Sequence, residues 1–211
     1  VFDCAERYLP PEVLTYIKTN ALYGVAEQRR DLPFDALRTQ SLRLHDEKRV
    51  PHAIGTSNLA AELAERYGAD AALCARAGIL HDCTKYLSLE EHLALCSRYG
   101  VALDRMEQVT EKLLHAKTGA ILARNVFGQD DEVYDAIFYH TTGRADMSLA
   151  EKILYIADYI EPNRDFPEVE QMRTLAFADL DRTVAMGARL AIQEKLRREN
   201  LAEEQRILYV A

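Results

Sequence analysis

The chain has 211 residues, 48% of them hydrophobic, with 34 acidic against 26 basic side chains and a formal charge of -8. That is enough apolar material for one large core or a core with an appendage. The acidic balance argues against a broad nucleic-acid surface, because neutralising a phosphate backbone needs clustered Lys and Arg, although it leaves room for a small anionic substrate. The longest apolar stretches fall short of the ~20 residues that cross a bilayer, and no basic-then-apolar leader opens the sequence. A cytoplasmic protein with no membrane or nucleic-acid partner is therefore expected.

Apolar residues recur at three and four positions without clear strand alternation, so the expected class is all-α. A first helix is predicted near 11–19, within an opening segment that ends in the charged, breaker-containing run Glu27 to Pro33. Residues 1–31 are expected to form a helical appendage and 32–211 a compact body. In that body helices are predicted near 34–47, 51–67, 70–82, 89–99, 105–114, 116–126, 130–141, 149–160, 168–177 and 180–199. Ser88-x-x-Glu91 and Ser148-x-x-Glu151 fit the capping box, in which hydroxyl and carboxylate satisfy the free amides of a helix start. Gly68, Gly100, Gly128 and Gly143 stand where helices should stop, and Pro162 closes the segment from Ser148. Cys4, Cys74, Cys83 and Cys96 form no C-x-x-C pair and read as reduced core thiols.

The chemistry lies in the histidines and two aspartates. His81-Asp82 ends the apolar run from Ala71 to Leu80, where an uncompensated carboxylate would be costly to bury. The two side chains leave a helix about 100° apart and can serve different edges of one site, the carboxylate bridging two ions while the imidazole holds one. Asp158 sits inside Ile153–Ile160, again an acid in a core helix. His52, His115 and His140 are unremarkable singly, but in this order the set reads as a two-metal centre. Nitrogen and oxygen donors without thiolate suit Fe, Mn, Co or Zn, metals that activate water for attack on phosphorus. His45-Asp46 lacks an apolar run behind it and reads as a solvated helix end. His92 is expected on an exposed helix face.

From about Leu44 to Ala176 the chain resembles the YqeK family of HD-domain proteins, which are symmetrical diadenosine tetraphosphate hydrolases. The strings that carry the likeness are Arg49-Val-Pro-His52, Ala77-Gly-Ile-Leu-His-Asp-Cys-Thr-Lys85, His115-Ala-Lys-Thr-Gly-Ala120, Tyr139-His-Thr-Thr-Gly-Arg144 and Glu151 to Arg164. The resemblance implies an HD-domain helical bundle with a di-iron site that cleaves diadenosine tetraphosphate to two ADP. It assigns His52, His81, Asp82 and Asp158 to one metal and Asp82, His115 and His140 to the other, with Asp82 as the bridge. Asp82 and Lys85 would form the catalytic centre. Arg49, Lys85, His115 and Arg164, with Arg144 as a weaker candidate, would meet the substrate. The expected mechanism is in-line attack on an internal phosphorus by hydroxide held between two metals about 3.5–4 Å apart.

Two features lie outside that frame. Asn200 to Ala211 departs from the short Pro- and Thr-containing segment expected to help enclose the nucleotide. Arg7 to Tyr23 is similar to the C-terminal end of nicotinate-nucleotide adenylyltransferases, and, with no initiator Met, the expectation is a fused protein in which the adenylyltransferase precedes the hydrolase. Two alternatives stay open at this stage: an HD enzyme for another nucleotide, and a nucleotide-binding regulator whose metals organise a pocket without turnover.

Overall fold

A computed structural model describes the backbone over residues 32–210, and side chains through 197 except 195. The predicted helix at 11–19, the appendage over 1–31 and Cys4 lie outside the described residues. Those residues form nine α-helices and two short 3-10 turns, with no strand among them. The helices are α1 (Phe34–Leu42), α2 (Val50–Tyr67), α3 (Ala71–Leu80), α4 (Leu89–Arg98), α5 (Glu111–Asn125), α6 (Asp131–Tyr139), α7 (Leu149–Ile160), α8 (Val169–Ala178) and α9 (Leu180–Val210). The all-α expectation holds. By compactness one unit ends at Arg164 and a second begins at Asp165. Every candidate ligand belongs to the first; in the second, α8 packs on α9.

In the first unit α2 and α3 form an antiparallel pair, α5 and α6 another, and α7 lies against α2, α3 and α6. Their shared interior holds Ala53, Ala77, Ile79, Leu80, Ala120, Ala123, Phe127, Val133, Ala136, Ile137 and Leu154. Burial of these apolar stripes is what holds short helices that would be marginal alone. Local signals set the ends. Asp70 accepts from the Leu73 amide at 3.0 Å to start α3, and both predicted capping boxes form, at Ser88 and Ser148. The four predicted glycine stops all have positive φ.

Gly78 sets how closely α3 crosses α2. A Cβ there would stand 2.6 Å from Ser57 Cα, so a larger residue would push apart the helices carrying His52 and His81.

One predicted break was misplaced. Residues 105–114 are not a helix: Glu107–Val109 is a single 3-10 turn, Thr110 is extended (φ -127, ψ 91), and α5 then runs unbroken through His115. The charged start Glu111-Lys112 belongs to α5's outer side, whereas Leu114 to Ala116 are buried. The helix predicted at 34–47 is also shorter, ending at Leu42, and α9 runs on to Val210 through the divergent tail.

Candidate metal centre

The chain ends of helices bring the ligand candidates together. His81 and Asp82 follow α3, His140 follows α6, His115 lies in the first turns of α5, His52 in the first turn of α2, and Asp158 near the end of α7. Because α5 runs opposite to α3 and α6, its start meets their ends. All six side chains converge, and His52, His81, Asp82, His115 and His140 are buried.

Each ring presents its Nδ1 to an acceptor. His52 Nδ1 donates to Glu161 Oε1 at 3.1 Å, His81 Nδ1 to Gly78 O at 2.7 Å, His115 Nδ1 to Lys112 O at 2.7 Å and His140 Nδ1 to Ile137 O at 2.6 Å. The tautomers assigned from these partners leave every Nε2 as a lone pair. Those lone pairs face one another: His52 Nε2 is 3.1 Å from His81 Nε2, and His115 Nε2 is 3.2 Å from His140 Nε2. Such pairs repel unless positive charge lies between them.

The carboxylates complete two groups. His52 Nε2 is 3.1 Å and His81 Nε2 3.6 Å from Asp158 Oδ1. Asp82 turns one oxygen to each side: Oδ2 is 3.4 Å from His52 and 3.5 Å from His81, while Oδ1 is 3.2 Å from His115. Ligand atoms of His52, His81 and Asp158, and separately of His81, Asp82 and His140, lie mutually within 4.8 Å and could each hold a metal ion. His81 therefore stands between the two groups, its ring centroid 5.1 Å from those of both His52 and His140. The donor set, imidazole nitrogen and carboxylate oxygen with its outer nitrogens anchored, fits a divalent transition metal.

The family now follows from comparison. The HD-domain family matches residues 49–163, which include all six ligand candidates. The chain belongs to the HD-domain family. It is 44% identical over 139 residues to a symmetrical bis(5'-nucleosyl)-tetraphosphatase of Bacillus subtilis, covering 65% of this chain and 74% of that protein. A solved structure from Clostridium acetobutylicum, an HD superfamily hydrolase involved in NAD metabolism, superposes with a TM-score of 0.75 at 38% identity, covering 80% of this chain and 89% of that one. A probable nicotinate-nucleotide adenylyltransferase/Ap4A hydrolase of Mycoplasma genitalium is 29% identical over 83% of this chain and 47% of the longer protein. The likeness to YqeK-type hydrolases read from the sequence is borne out.

Electrostatics make the HD centre strained without a cation. Burial alone would push the Asp82 carboxyl up, but the His81 charge and bonds from His115, His52 and His81 hold it far below the carboxylate range. Asp158 is likewise kept low against burial by His52 and His81. Burial works to lower His81, yet Asp82 and Asp158 raise it to about 9; His52 is raised by the same two acids against its own burial. His140 falls to about 3 through burial and the neighbouring His115 and His81. The centre thus calls for positive charge between its facing lone pairs, which a bound metal ion would supply while leaving the rings neutral.

Three cations edge the centre. Arg49 donates to Asp82 Oδ2, Lys85 Nζ lies 3.1 Å from Asp82 Oδ1, and Arg164 Nη2 lies 2.7 Å from Asp158 Oδ1. Each side chain keeps about a third of its surface open to solvent. Arg144 is engaged elsewhere: it bonds Glu151 and Asp135 and lies 4.2 Å over the Tyr139 ring.

Sequence reasoning assigned no role to Glu161. Its carboxylate is 1% exposed, accepts from His52 Nδ1, and is itself held by Asn163 N and Nδ2 at 2.8 Å. A Cβ on residue 55 would meet its Oε2, so Gly55 is what leaves it room. The available signal was an acid between a core helix and Pro162. His92 also departs from expectation: it is 1% exposed, and its Nδ1 donates to Thr118 Oγ1 at 2.8 Å. The packing of α4 on α5 turns that face inward. Thr118 in turn meets Thr84 Oγ1, which donates to His115 O, tying the HD turn to α5. His45 is half-buried with Nδ1 on Ser41 O at 2.9 Å rather than solvated, and takes no part in the centre.

Proposed function

We propose that this HD domain hydrolyses dinucleoside tetraphosphates symmetrically, releasing two nucleoside diphosphates, with diadenosine tetraphosphate as substrate. The observation that carries the reading is the set of four inward Nε2 lone pairs around a carboxylate that faces both sides. The relatives named for symmetrical tetraphosphatase activity support the substrate and register. In our assignment His52, His81, Asp82 and Asp158 hold one ion and Asp82, His115 and His140 the other, with iron as the resident metal; Mn, Co and Zn suit the same donors.

Two such ions would supply charge against the phosphoryl oxygens and activation of water at neutral pH. The chain supplies the rest. Asp82 stays ionised and fixes the spacing of the two halves. Glu161, Gly78 O, Lys112 O and Ile137 O hold the rings so that no imidazole needs to rotate. Lys85, beside Asp82, is positioned to meet the reacting phosphate. Arg49 and Arg164 exchange their carboxylate partners for the polyphosphate, spreading charge on its non-bridging oxygens. His115 reaches the same edge, and Arg144 contributes most simply by holding Tyr139. The departing diphosphate needs little protonation, so no separate general acid is assigned.

The decisive test is product analysis on metal-reconstituted protein with diadenosine tetraphosphate. Two ADP are expected; ATP plus AMP would overturn the symmetric register. We further propose a cytoplasmic protein in which 1–31 belongs to the end of an upstream adenylyltransferase and 32–211 is the hydrolase, a reading supported by the Mycoplasma relatives that combine both names. Among the described residues no helix is long and apolar enough to cross a membrane.

A further inference from the structure

Where α4 packs on α5, around the apolar side chains of Cys96, Leu114 and Ile121, three polar side chains are buried as well. Thr84, His92 and Thr118 are each no more than 1% exposed. His92 Nδ1 stands 2.8 Å from Thr118 Oγ1, Thr118 Oγ1 2.9 Å from Thr84 Oγ1, and Thr84 Oγ1 3.0 Å from the main-chain oxygen of His115. One order of donors puts a proton in all three contacts: His92 Nδ1–H donates to Thr118, the Thr118 hydroxyl to Thr84, and the Thr84 hydroxyl to His115 O. The competing acceptor for Thr118 is Leu114 O at 3.0 Å, on its own helix. A hydroxyl turned there would leave the two threonine oxygens facing without a proton unless Thr84 gave up His115. A chain of bonds running in one direction also strengthens each of them.

Stability alone does not call for these groups. Apolar side chains of similar shape would fill the same space without desolvating polar ones, and replacing both partners of a buried hydrogen bond in that way is close to neutral. What the chain of bonds does supply is a fixed spacing between two elements that both carry candidate ligands. Thr84 is two residues past Asp82 on the HD turn, and Thr118 is three past His115, about one helical turn along α5. Across that junction Asp82 Oδ1 and His115 Nε2 face each other at 3.2 Å. The group of His52, His81 and Asp158 is held differently, by α2, α3 and α7 through the Gly78 crossing and the Glu161 anchor. The bonds of Thr84, Thr118 and His92 among the described residues run to one another and to the main chain of α5, not to any side chain of that group. Lys85 Nζ also spans Asp82 and His115, at 3.1 and 3.4 Å. An ammonium is repelled by a cation bound there, whereas the hydroxyl chain is neutral and acts through the backbone.

From this we infer that His92, Thr118 and Thr84 are positioning residues that set the distance between Asp82 and His115. They thereby control the affinity of the metal ion assigned to Asp82, His115 and His140 and leave that of the other ion alone. The inference rests on the two-ion assignment of the proposed function. It places a determinant of one ion's binding on α4, a helix that carries none of the six candidate ligands.

The test titrates Mn(II) into the metal-free protein, reading each binding step by calorimetry and the coupling between the ions by electron paramagnetic resonance. The parent should take up two ions and show the broadened spectrum of an exchange-coupled pair. Thr118→Val should weaken one step about 10- to 100-fold, the usual cost of losing a partner behind the ligands. The other step should keep its parent affinity, and the spectrum at low loading should be that of an isolated ion. Thr118→Ser keeps the hydroxyl and should behave as the parent, a rescue that side-chain packing does not produce. Thr118→Val strands the His92 N–H, so Thr118→Val/His92→Leu, which removes the donor too, carries the same expectation should the single variant fail to fold. Helical circular dichroism establishes folding. Equal weakening of both steps, parent-like binding in the valine variants, or no rescue by serine would overturn the inference, as would a parent that binds fewer than two ions. Product analysis keeps it apart from the reaction. If the parent cleaves no dinucleoside tetraphosphate yet one Mn(II) step follows the hydroxyl at position 118, the reaction assignment fails and the positioning role stands. If the parent cleaves it and Thr118→Val binds both ions as the parent does, the positioning role alone fails.

Discussion

Opposite ends of the same three helices hold charged groups put to different uses. At the starts of α3 and α6 and the end of α5, a cavity of about 590 Å³ is lined by Asp70, Arg76, Arg124, Gln129, Asp130 and Asp131. Yet its acids serve the helices: Asp70 and Asp130 accept from the Leu73 and Val133 amides at 3.0 and 2.9 Å, and Asp131 pairs with Arg124 at 2.6 Å. At the other end, where α3 and α6 finish and α5 begins, polar atoms face each other with lone pairs unshared. Space whose acids are all engaged is scaffold, even with the Arg76 Nη1 buried there without a partner among the described residues; crowding of unshared lone pairs is a site. For His81 and His140 the difference has a directional cause, since helix starts offer backbone donors to carboxylates, whereas the ends of α3 and α6 offer the Gly78 and Ile137 carbonyls that anchor imidazole Nδ1 and leave Nε2 outward.

The strongest attempt to break this contrast is Asp82→Ala. Removing the carboxylate that faces both metal groups should cut turnover by a factor on the order of 10³ or more. Helical circular dichroism should stay native-like and bound metal should drop. Retained activity would contradict the bridging assignment.

Acid titration sharpens the contrast from another side, because a buried histidine outside the centre has no metal to exchange for its proton. His92 is pushed down to about 4 by burial, with His115 adding to the effect. The unfolded chain binds a proton near 6.5 while the folded one does not until about 4, so the folded state is favoured above 6.5 and loses that advantage as pH falls between those values. The loss amounts to at most about 3 kcal/mol. Urea midpoints measured between pH 7 and 4 should fall, and His92→Gln should flatten the slope relative to the parent. His45, also lowered to about 4 by burial, acts in the same direction.

A smaller effect is expected at the anchor of His52. Glu161→Gln removes the charge that fixes its tautomer and should weaken metal binding about 10- to 100-fold, the usual cost of losing such a partner. Gly55→Ala should do the same by displacing Glu161. Metal affinity by chelator competition is the measurement, and parent-like affinity in both variants would remove Glu161 from the centre.

What was legible in the sequence follows the same physics. His81-Asp82 and Asp158 stood out because an acid inside an apolar helix needs compensation, a one-dimensional signal. The capping boxes and glycine stops were equally local, and all formed. Glu161, Thr118 and His92 were not legible, since each matters through a partner 26 or more positions away in the chain. Exposure of His92 was misjudged because the face that α4 turns to α5 is set by tertiary packing, which a polar residue on an amphipathic helix does not reveal. The break placed at His115 failed for a related reason: a polar residue amid Leu114 and Ala116 resembles an interruption until the metal centre gives it a place in the core.

The smallest expected effect tests the scaffold end. Asp131 is almost wholly exposed and its partner Arg124 is 41% exposed, with its guanidinium 3.5 Å from the Tyr134 ring centroid. Asp131→Asn removes one solvent-screened ion pair and should cost under about 1 kcal/mol in urea unfolding. Metal content and turnover should match the parent, because the ten-residue α3 places about 15 Å between the two ends. A tenfold fall in turnover at unchanged stability would mean that the two ends are coupled through the helices, and the division between scaffold and site drawn from their polar atoms would no longer hold.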